Sequence, residues 1–173
     1  NVKGWGGNYF SINEKGHIFA KFIFDVLECN ISILDGIAKK AESVEDCDFI
    51  CLNFVGADPN GADRSVADCV ADAKAVAEVV TKPIVIMGCK NVEKDSELLA
   101  ALGEALVGKN VLVMSAKNEN YKMVGASVAL ASGQKVGAET ADDINLAKQL
   151  NIMLKGLNVP AESIVMNIGT AAV

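Results

Sequence analysis

The side chains of this sequence that could bind a ligand are mostly asparagines and aspartates in polar loops. Five such loops each follow an apolar run, at residues 55–63, 88–95, 115–121, 139–145 and 167–170. Amide and carboxylate groups there can hydrogen-bond a flat polar heterocycle or the backbone of a partner. They can equally form turns and cap the following helices, and this structural role is favoured for any single residue. The candidate binding residues are Asp58, Asn60, Asn91, Asn118, Asn120, Asp142, Asn145 and Asn167.

The same loops carry few groups that could act as a nucleophile or a general base. The single histidine, His17, lies at the start of the first predicted strand. In an α/β barrel the catalytic residues lie at the opposite ends of the strands, so a structural role is favoured for His17. No Ser/His/Asp set and no HExxH zinc motif can be assembled from the sequence. The sequence therefore predicts no catalytic residue and no metal ligand.

The cysteines do not form a recognisable framework. Their number is odd and no CxxC occurs, which argues against disulfides or a zinc knuckle. A [4Fe–4S] cluster within the chain is disfavoured because its ligands usually come in close runs. Lys90 could lower the pKa of the adjacent Cys89, but no base is visible and an inert thiol is favoured. Buried, reduced cysteines indicate a cytoplasmic protein; they are Cys29, Cys47, Cys51, Cys69 and Cys89.

Composition excludes several classes of partner. The chain has 173 residues, of which 51% are hydrophobic, enough for one domain with a core. Its net charge of −6, without a basic cluster, argues against nucleic acid or an anionic membrane as the main partner. No apolar run approaches the roughly 20 residues of a membrane span, and the first residues do not resemble a secretory signal.

The spacing of the apolar runs indicates repeated βα units. The runs recur at intervals of about 30 residues, which suits a strand and its crossover helix. An earlier strand is predicted at residues 17–25 and a helix near residues 32–43, giving about six strands and five helices. The clearest helix starts after Ser65, where Asp68 completes a pattern like a capping box. The five runs begin near Phe49, Ile84, Val111, Lys135 and Ile164.

Two architectures fit this repetition: an open doubly wound sheet and a closed eight-stranded barrel. The sequence lacks both the GxGxxG of dinucleotide-binding sheets and the GxxxxGK[ST] of phosphate loops. The predicted fold is therefore an α/β TIM (β/α)8 barrel, here truncated to about six strands. Residues 1–16 are assigned to an N-terminal extension and residues 17–173 to the barrel, with the last two βα units missing.

Several segments resemble one protein family when they are taken in order. GADPNGADRSVADCV, IVIMGCKNVEKDSELL, NENYK, DINLAKQLN and ESIVMN follow one another as in the small subunit of the corrinoid iron–sulfur protein. This subunit is also called the delta subunit of the acetyl-CoA decarbonylase/synthase complex. The resemblance covers residues 49–173 and keeps register with every predicted βα unit, whereas the preceding residues match only loosely.

The resemblance implies a TIM barrel related to pterin-binding methyltransferase barrels. It implies a large subunit as partner, carrying a [4Fe–4S] cluster and a corrinoid domain that faces the barrel mouth. The pair would pass a methyl group from methyltetrahydrofolate, or an archaeal methylpterin, through cobalt to acetyl-CoA synthase. The acetyl-CoA synthase/CO dehydrogenase and a methyltetrahydrofolate methyltransferase are further implied partners. A loop set without acid–base groups agrees with this, since the cofactor would supply the chemistry.

The chain departs from the family pattern in two of the loops. It reads GCKN at residues 88–91, where the family often reads GCGN, and MNI at residues 166–168, where the family often reads MDP. Contacts to a corrinoid or a partner are therefore expected to differ there.

Two alternative functions remain open. The chain could be a self-sufficient pterin-dependent methyltransferase, in which Asn118, Asn120, Asp142 and Asn167 hold the pterin. It could instead be an assembly domain that contacts the synthase. The polar face of the helix predicted near residues 143–157 would then be the contact surface, through Asn145, Lys148 and Gln149.

Overall fold

The computed structural model of the chain describes residues 7–12, 18–25, 31–45, 48–109, 111–141 and 143–168. His17, Cys29, Cys47 and Asp142 lie outside these ranges, so their predicted roles stay predictions. Among the described helices, none is long and apolar enough to cross a membrane.

The described strands form one sheet whose order follows the chain. The first two strands are antiparallel, and each later strand is parallel to the one before it. An α/β fold with a parallel sheet is thus confirmed, and each predicted strand is present. The strand at Gly7–Ile12 was not predicted; it lies in the segment assigned to an N-terminal extension. The strands are β1 (Gly7–Ile12), β2 (Ile18–Asp25), β3 (Phe49–Asn53), β4 (Ile84–Met87), β5 (Val111–Ala116), β6 (Lys135–Glu139) and β7 (Ile164–Asn167).

Five α-helices connect the parallel strands within the described ranges. Helices α1 and α2 pack together, as do α2 and α3, α3 and α4, and α4 and α5, so the helices line one face of the sheet. Short 3-10 turns at Val55–Ala57 and Ala161–Ser163 and a π-helical segment at Gly125–Ala131 complete the connections. The helices are α1 (Ile31–Glu42), α2 (Val66–Val79), α3 (Val92–Ala105), α4 (Tyr121–Val124, continuing into the π-helical segment) and α5 (Ile144–Gly156).

The core lies between the sheet and this helix layer. Leu52, Ile86, Val113 and Val136 are aligned across four neighbouring strands and are fully buried. Burying each such side chain contributes about 1.5–3 kcal/mol. The helices cover this row with a matching apolar stripe, formed by Ala73, Val76, Leu98, Leu99, Leu102 and Val128.

The opposite face of the sheet carries a different row. Because side chains alternate along a strand, Asn53, Met87, Met114, Gly137 and Val165 are aligned with one another and point away from the helices. None of these residues belongs to the core cluster. A Cβ atom on Gly137 would lie 2.7 Å from Cγ of Met114, so the absent side chain makes room for the methionine.

Candidate functional site

A pocket of about 220 Å³ opens at the carboxyl ends of β4, β5 and β6. Parallel strands end at the same edge of a sheet, here called the carboxyl edge, and ligands of α/β proteins usually bind there. The pocket is smaller than the roughly 300–1,000 Å³ of a site that encloses a whole ligand. It therefore suits part of a larger ligand or the side chains of a partner. Its lining residues are Met87, Gly88, Lys90, Val92, Asp95, Met114, Ser115, Lys117, Asn120 and Glu139.

Asp95 fixes the loop that follows β4. Its buried carboxylate accepts the backbone N–H of Cys89 at 2.7 Å and that of Lys90 at 3.0 Å. Gly88 lies against the same carboxylate, because a Cβ atom there would be 2.3 Å from Oδ1 of Asp95. The first turn of α3 thus holds this pocket wall in one conformation.

Asn91, a predicted binding residue, caps helix α3. Its side-chain oxygen accepts the backbone N–H of Lys94 at 3.0 Å. This contact satisfies one of the free N–H groups at the helix start. Helix capping, the structural role considered for such asparagines, therefore accounts for Asn91.

Asn120 closes the loop that follows β5. Its side-chain oxygen accepts the backbone N–H of Lys117 at 2.7 Å, and its side-chain nitrogen donates to the carbonyl of Ser115 at 3.3 Å. The side chain is buried at the pocket wall. Asn120 therefore shapes the loop that presents Lys117 to the pocket.

A serine–glutamate pair joins the ends of two strands. The hydroxyl of Ser115 donates to the carboxylate of Glu139 across β5 and β6. The pair offers donor and acceptor groups beside the apolar side chains of Met87 and Met114. This combination can hold a polar group with an apolar neighbour.

The loop that follows β3 is a turn tied to helix α2. The carboxylate of Asp58 accepts the backbone N–H of Asn60 at 3.0 Å and its side-chain N–H at 3.3 Å. At the end of the loop, the guanidinium of Arg64 pairs with the buried carboxylate of Asp72 on α2. Asp58 and Asn60 do not line the pocket; they form the turn that their sequence predicts.

The other predicted binding residues are spread along the same edge. Asn118 and Asn145 are exposed, and Asn145 donates its backbone N–H to the cap residue Asp143 at 2.8 Å. Asn167 ends β7, where its carbonyl accepts the N–H of Thr140 at 2.9 Å. Of the described candidates, only Asn120 lines the pocket.

Several pocket residues were not among the predicted ones. Glu139 ends β6 and Ser115 is the penultimate residue of β5, while Met87 and Met114 lie near the strand ends on the face away from the helices. The sequence does indicate their position near the strand ends, because the apolar runs predict where the strands lie. Their pairing depends on the register of β5 against β6, which shifts between Met114 and Ala116 and is not encoded locally.

Cys89 is a buried thiol and not a reactive one. Burial raises its pKa to about 11, and hydrogen bonding to Asp95 also raises it. The pKa therefore rises, in contrast to the lowering by Lys90 considered from the sequence. The thiol is therefore protonated near neutral pH, in agreement with the favoured interpretation.

We expect Cys89 to resist alkylation in the folded protein. Its thiolate fraction near neutral pH should be about 100-fold below that of an unperturbed thiol, because each pKa unit is a factor of ten. Peptide mass spectrometry after iodoacetamide treatment measures this, with urea-unfolded protein as the control. Equal labelling rates in the folded and unfolded protein would show that Cys89 is accessible and reactive.

A larger groove of about 810 Å³ lies outside the helix layer, between α3 and α4 with its π-helical continuation. It is lined by small residues and by Glu93, Glu97 and Glu104. Within the described part of the chain, no group of three or more His, Cys, Asp or Glu residues could hold a metal ion.

The fold and the pocket define the class of this protein. It is an α/β protein whose parallel sheet carries a small polar pocket at its carboxyl edge, between loops fixed by Asp95 and Asn120. The chain belongs to the CO dehydrogenase/acetyl-CoA synthase delta subunit family, whose sequence model matches residues 26–173. The resemblance recognised in the sequence is thereby confirmed.

Curated relatives of the chain come from several archaea. Acetyl-CoA decarbonylase/synthase complex subunit delta 1 of Methanosarcina thermophila is 34% identical over 137 residues, which are 78% of this chain and 31% of the relative. Subunit delta of Archaeoglobus fulgidus is 32% identical over 136 residues, 78% of this chain and 30% of the relative. The corresponding values for Methanothermobacter thermautotrophicus are 31% over 136 residues, 78% and 35%. The chain spans about a third of the length of these relatives.

Proposed function

We propose that this chain acts in the acetyl-CoA pathway, as the small subunit of a corrinoid iron–sulfur methyl carrier. The observation that carries the proposal is the pocket at the carboxyl edge, which has polar and apolar walls and no histidine or cysteine among its lining residues. Such an edge suits the docking of a partner that brings the reactive cofactor. Family membership supports this, because the relatives are named as subunits of the acetyl-CoA decarbonylase/synthase complex.

The sheet is proposed to belong to a TIM barrel. Its strand order follows the chain without the reversal of a doubly wound sheet. On β7, the last strand that the structure describes, Val165 and Met166 are 43% and 36% exposed. The row from Asn53 to Val165 would then face the barrel interior. The division into residues 1–16 and 17–173 is part of this proposal.

Within the described residues, a corrinoid would fit at the surface of the chain and not inside the pocket. The pocket is too small to enclose a macrocycle, so the large subunit would carry the corrinoid, and a [4Fe–4S] cluster would also reside in that partner. When bound, the cobalt supplies the methyl-accepting centre. Lys90, Lys117 and the Ser115–Glu139 pair would hydrogen-bond the docked face and orient it.

The proposed methyl donor is methyltetrahydrofolate or an archaeal methylpterin, delivered by a methyltransferase, and the acceptor is acetyl-CoA synthase/CO dehydrogenase. The proposed compartment is the cytoplasm. Cys69 and Cys89, whose thiols are not in disulfides, support a reducing environment.

Co-expression with the large subunit tests the proposal. We expect the two chains to purify as one complex whose spectrum contains corrinoid and iron–sulfur absorption. Glu97→Lys, an exposed change on α3 away from the carboxyl edge, is the matched control and should purify in the same complex. A well-folded small subunit that never associates with the large subunit would contradict the proposal.

The alternative functions have less support from the geometry. Of the residues considered for pterin binding, Asn118 is exposed, Asn167 ends the outer strand, and both ends of the Asn120 amide are engaged within its own loop. Heat release on titration with methyltetrahydrofolate would revive that alternative. Asn145, Lys148 and Gln149 are exposed on α5, as an assembly surface requires, but solvation explains their exposure equally well.

A further inference from the structure

Lys90 has a backbone conformation that lysine rarely adopts. Its φ angle is 72°, in the left-handed region. Among the described non-glycine residues, Asp63 and Asn158 also have positive φ angles, but their residue types tolerate this region. For other L-residues, the close approach of Cβ to the following carbonyl makes the conformation unfavourable.

The loop around Lys90 is held in this conformation by contacts of its backbone. The backbone N–H groups of Cys89 and Lys90 donate to the Asp95 carboxylate, and Gly88 packs against the same carboxylate. Glycine would adopt the same conformation without a Cβ penalty. Lysine at this position therefore costs stability relative to glycine.

The Lys90 side chain forms no polar contact with the described residues that would offset this cost. It is exposed, and its ammonium forms no hydrogen bond or ion pair with another described residue. The two carboxylates that line the pocket are already engaged, Asp95 with two N–H groups and Glu139 with Ser115. Residues that hold an unfavourable backbone conformation without a stabilising contact of their own concentrate at functional sites.

We infer that Lys90 is a docking cation, whose ammonium pairs with a carboxylate on the surface of the protein that docks at the carboxyl edge. This inference rests on the proposed function, since it concerns the same edge and partner. Lys117 lines the same pocket and adds a second positive charge.

The pocket favours a single carboxylate over a phosphate. Glu139 and Asp95 offset the two lysines in charge, so no strongly positive cradle results. The N–H groups that could form an anion nest, those of Cys89 and Lys90, are occupied by Asp95. One exposed ammonium at the pocket mouth instead suits one acidic side chain.

Three substitutions of Lys90 separate the charge from the backbone strain. We expect Lys90→Gly to raise Tm by about 2–4 °C and to lower affinity for the corrinoid-loaded large subunit by about 5–10-fold. Lys90→Ala should lower affinity equally without raising Tm, because it keeps Cβ. Lys90→Arg should retain affinity. Lys155→Ala, at the far end of α5, is the matched control and should change neither quantity.

Calorimetric titration at low and high salt gives the affinities. The affinity of the unmodified protein should fall with salt more steeply than that of Lys90→Gly. Unchanged affinity in Lys90→Gly at both salt levels would overturn the inference while leaving the proposed function intact. No association by the unmodified protein would overturn both. Selective competition by inorganic phosphate, at matched ionic strength, would identify a small-anion site and overturn the assignment to a carboxylate.

Discussion

Replacing Asp72 with alanine should lower the free energy of unfolding by about 3–5 kcal/mol. The side chain of Asp72 is only 6% exposed and pairs with the guanidinium of Arg64, whose side chain is itself mostly buried. Removing the carboxylate leaves a buried cation without its partner, and the desolvation of Arg64 is then uncompensated. Urea denaturation followed by circular dichroism measures the loss.

The pair also anchors the loop between β3 and α2, so the same substitution should loosen residues 55–65. Glu78→Ala, an exposed change on the same helix, is the control and should stay within about 0.5 kcal/mol. Combining Asp72→Ala with Arg64→Met should recover much of the loss, because the stranded charge is then removed. A loss below about 1 kcal/mol for Asp72→Ala alone would mean that the pair behaves as a solvent-screened surface contact.

Replacing Asp95 with alanine should lower the free energy of unfolding by about 2–4 kcal/mol, because two donors lose their acceptor. The backbone N–H groups of Cys89 and Lys90 both bond to this carboxylate. Without these two bonds, the loop after β4 loses its contacts to the first turn of α3 through this carboxylate. Hydrogen exchange of the loop amides, measured beside urea denaturation, should report faster exchange at residues 88–91.

Glu97→Ala is the matched control for this substitution, since Glu97 is exposed on the same helix. Asp95→Asn keeps one acceptor oxygen and should cost less than alanine. Asp95→Ala and Lys90→Gly should both weaken docking, yet they should change stability in opposite directions. Equal stability losses for Asp95→Ala and Glu97→Ala would contradict the assigned role of Asp95.

The βα organisation was predictable because its signals are local. Apolar runs and turn residues marked the parallel strands, and Ser65 marked the start of α2. Its hydroxyl accepts the backbone N–H of Asp68 at 3.1 Å and donates to the Asp68 carboxylate at 2.7 Å. The turn at Asp58 and Asn60 could also be predicted, since an aspartate carboxylate can accept the backbone N–H of the residue two positions later.

The pocket was less predictable because its contacts join distant segments. Ser115 and Glu139 meet only through the alignment of two strands, and Arg64 meets Asp72 only once the loop has folded back on α2. The conformation of Lys90 depends on Asp95, on the next helix. Strand β1 also escaped prediction, since its partner β2 alone defines its antiparallel register.

Hydrogen exchange of this chain, free and in complex with the proposed corrinoid-loaded large subunit, tests whether the partner docks at the carboxyl edge of the sheet. We expect slower exchange on complex formation in the loops at residues 88–95 and 115–121, with little change on the outer faces of α3 and α5. Slower exchange confined to those outer faces, with the loops unchanged, would contradict docking at the carboxyl edge.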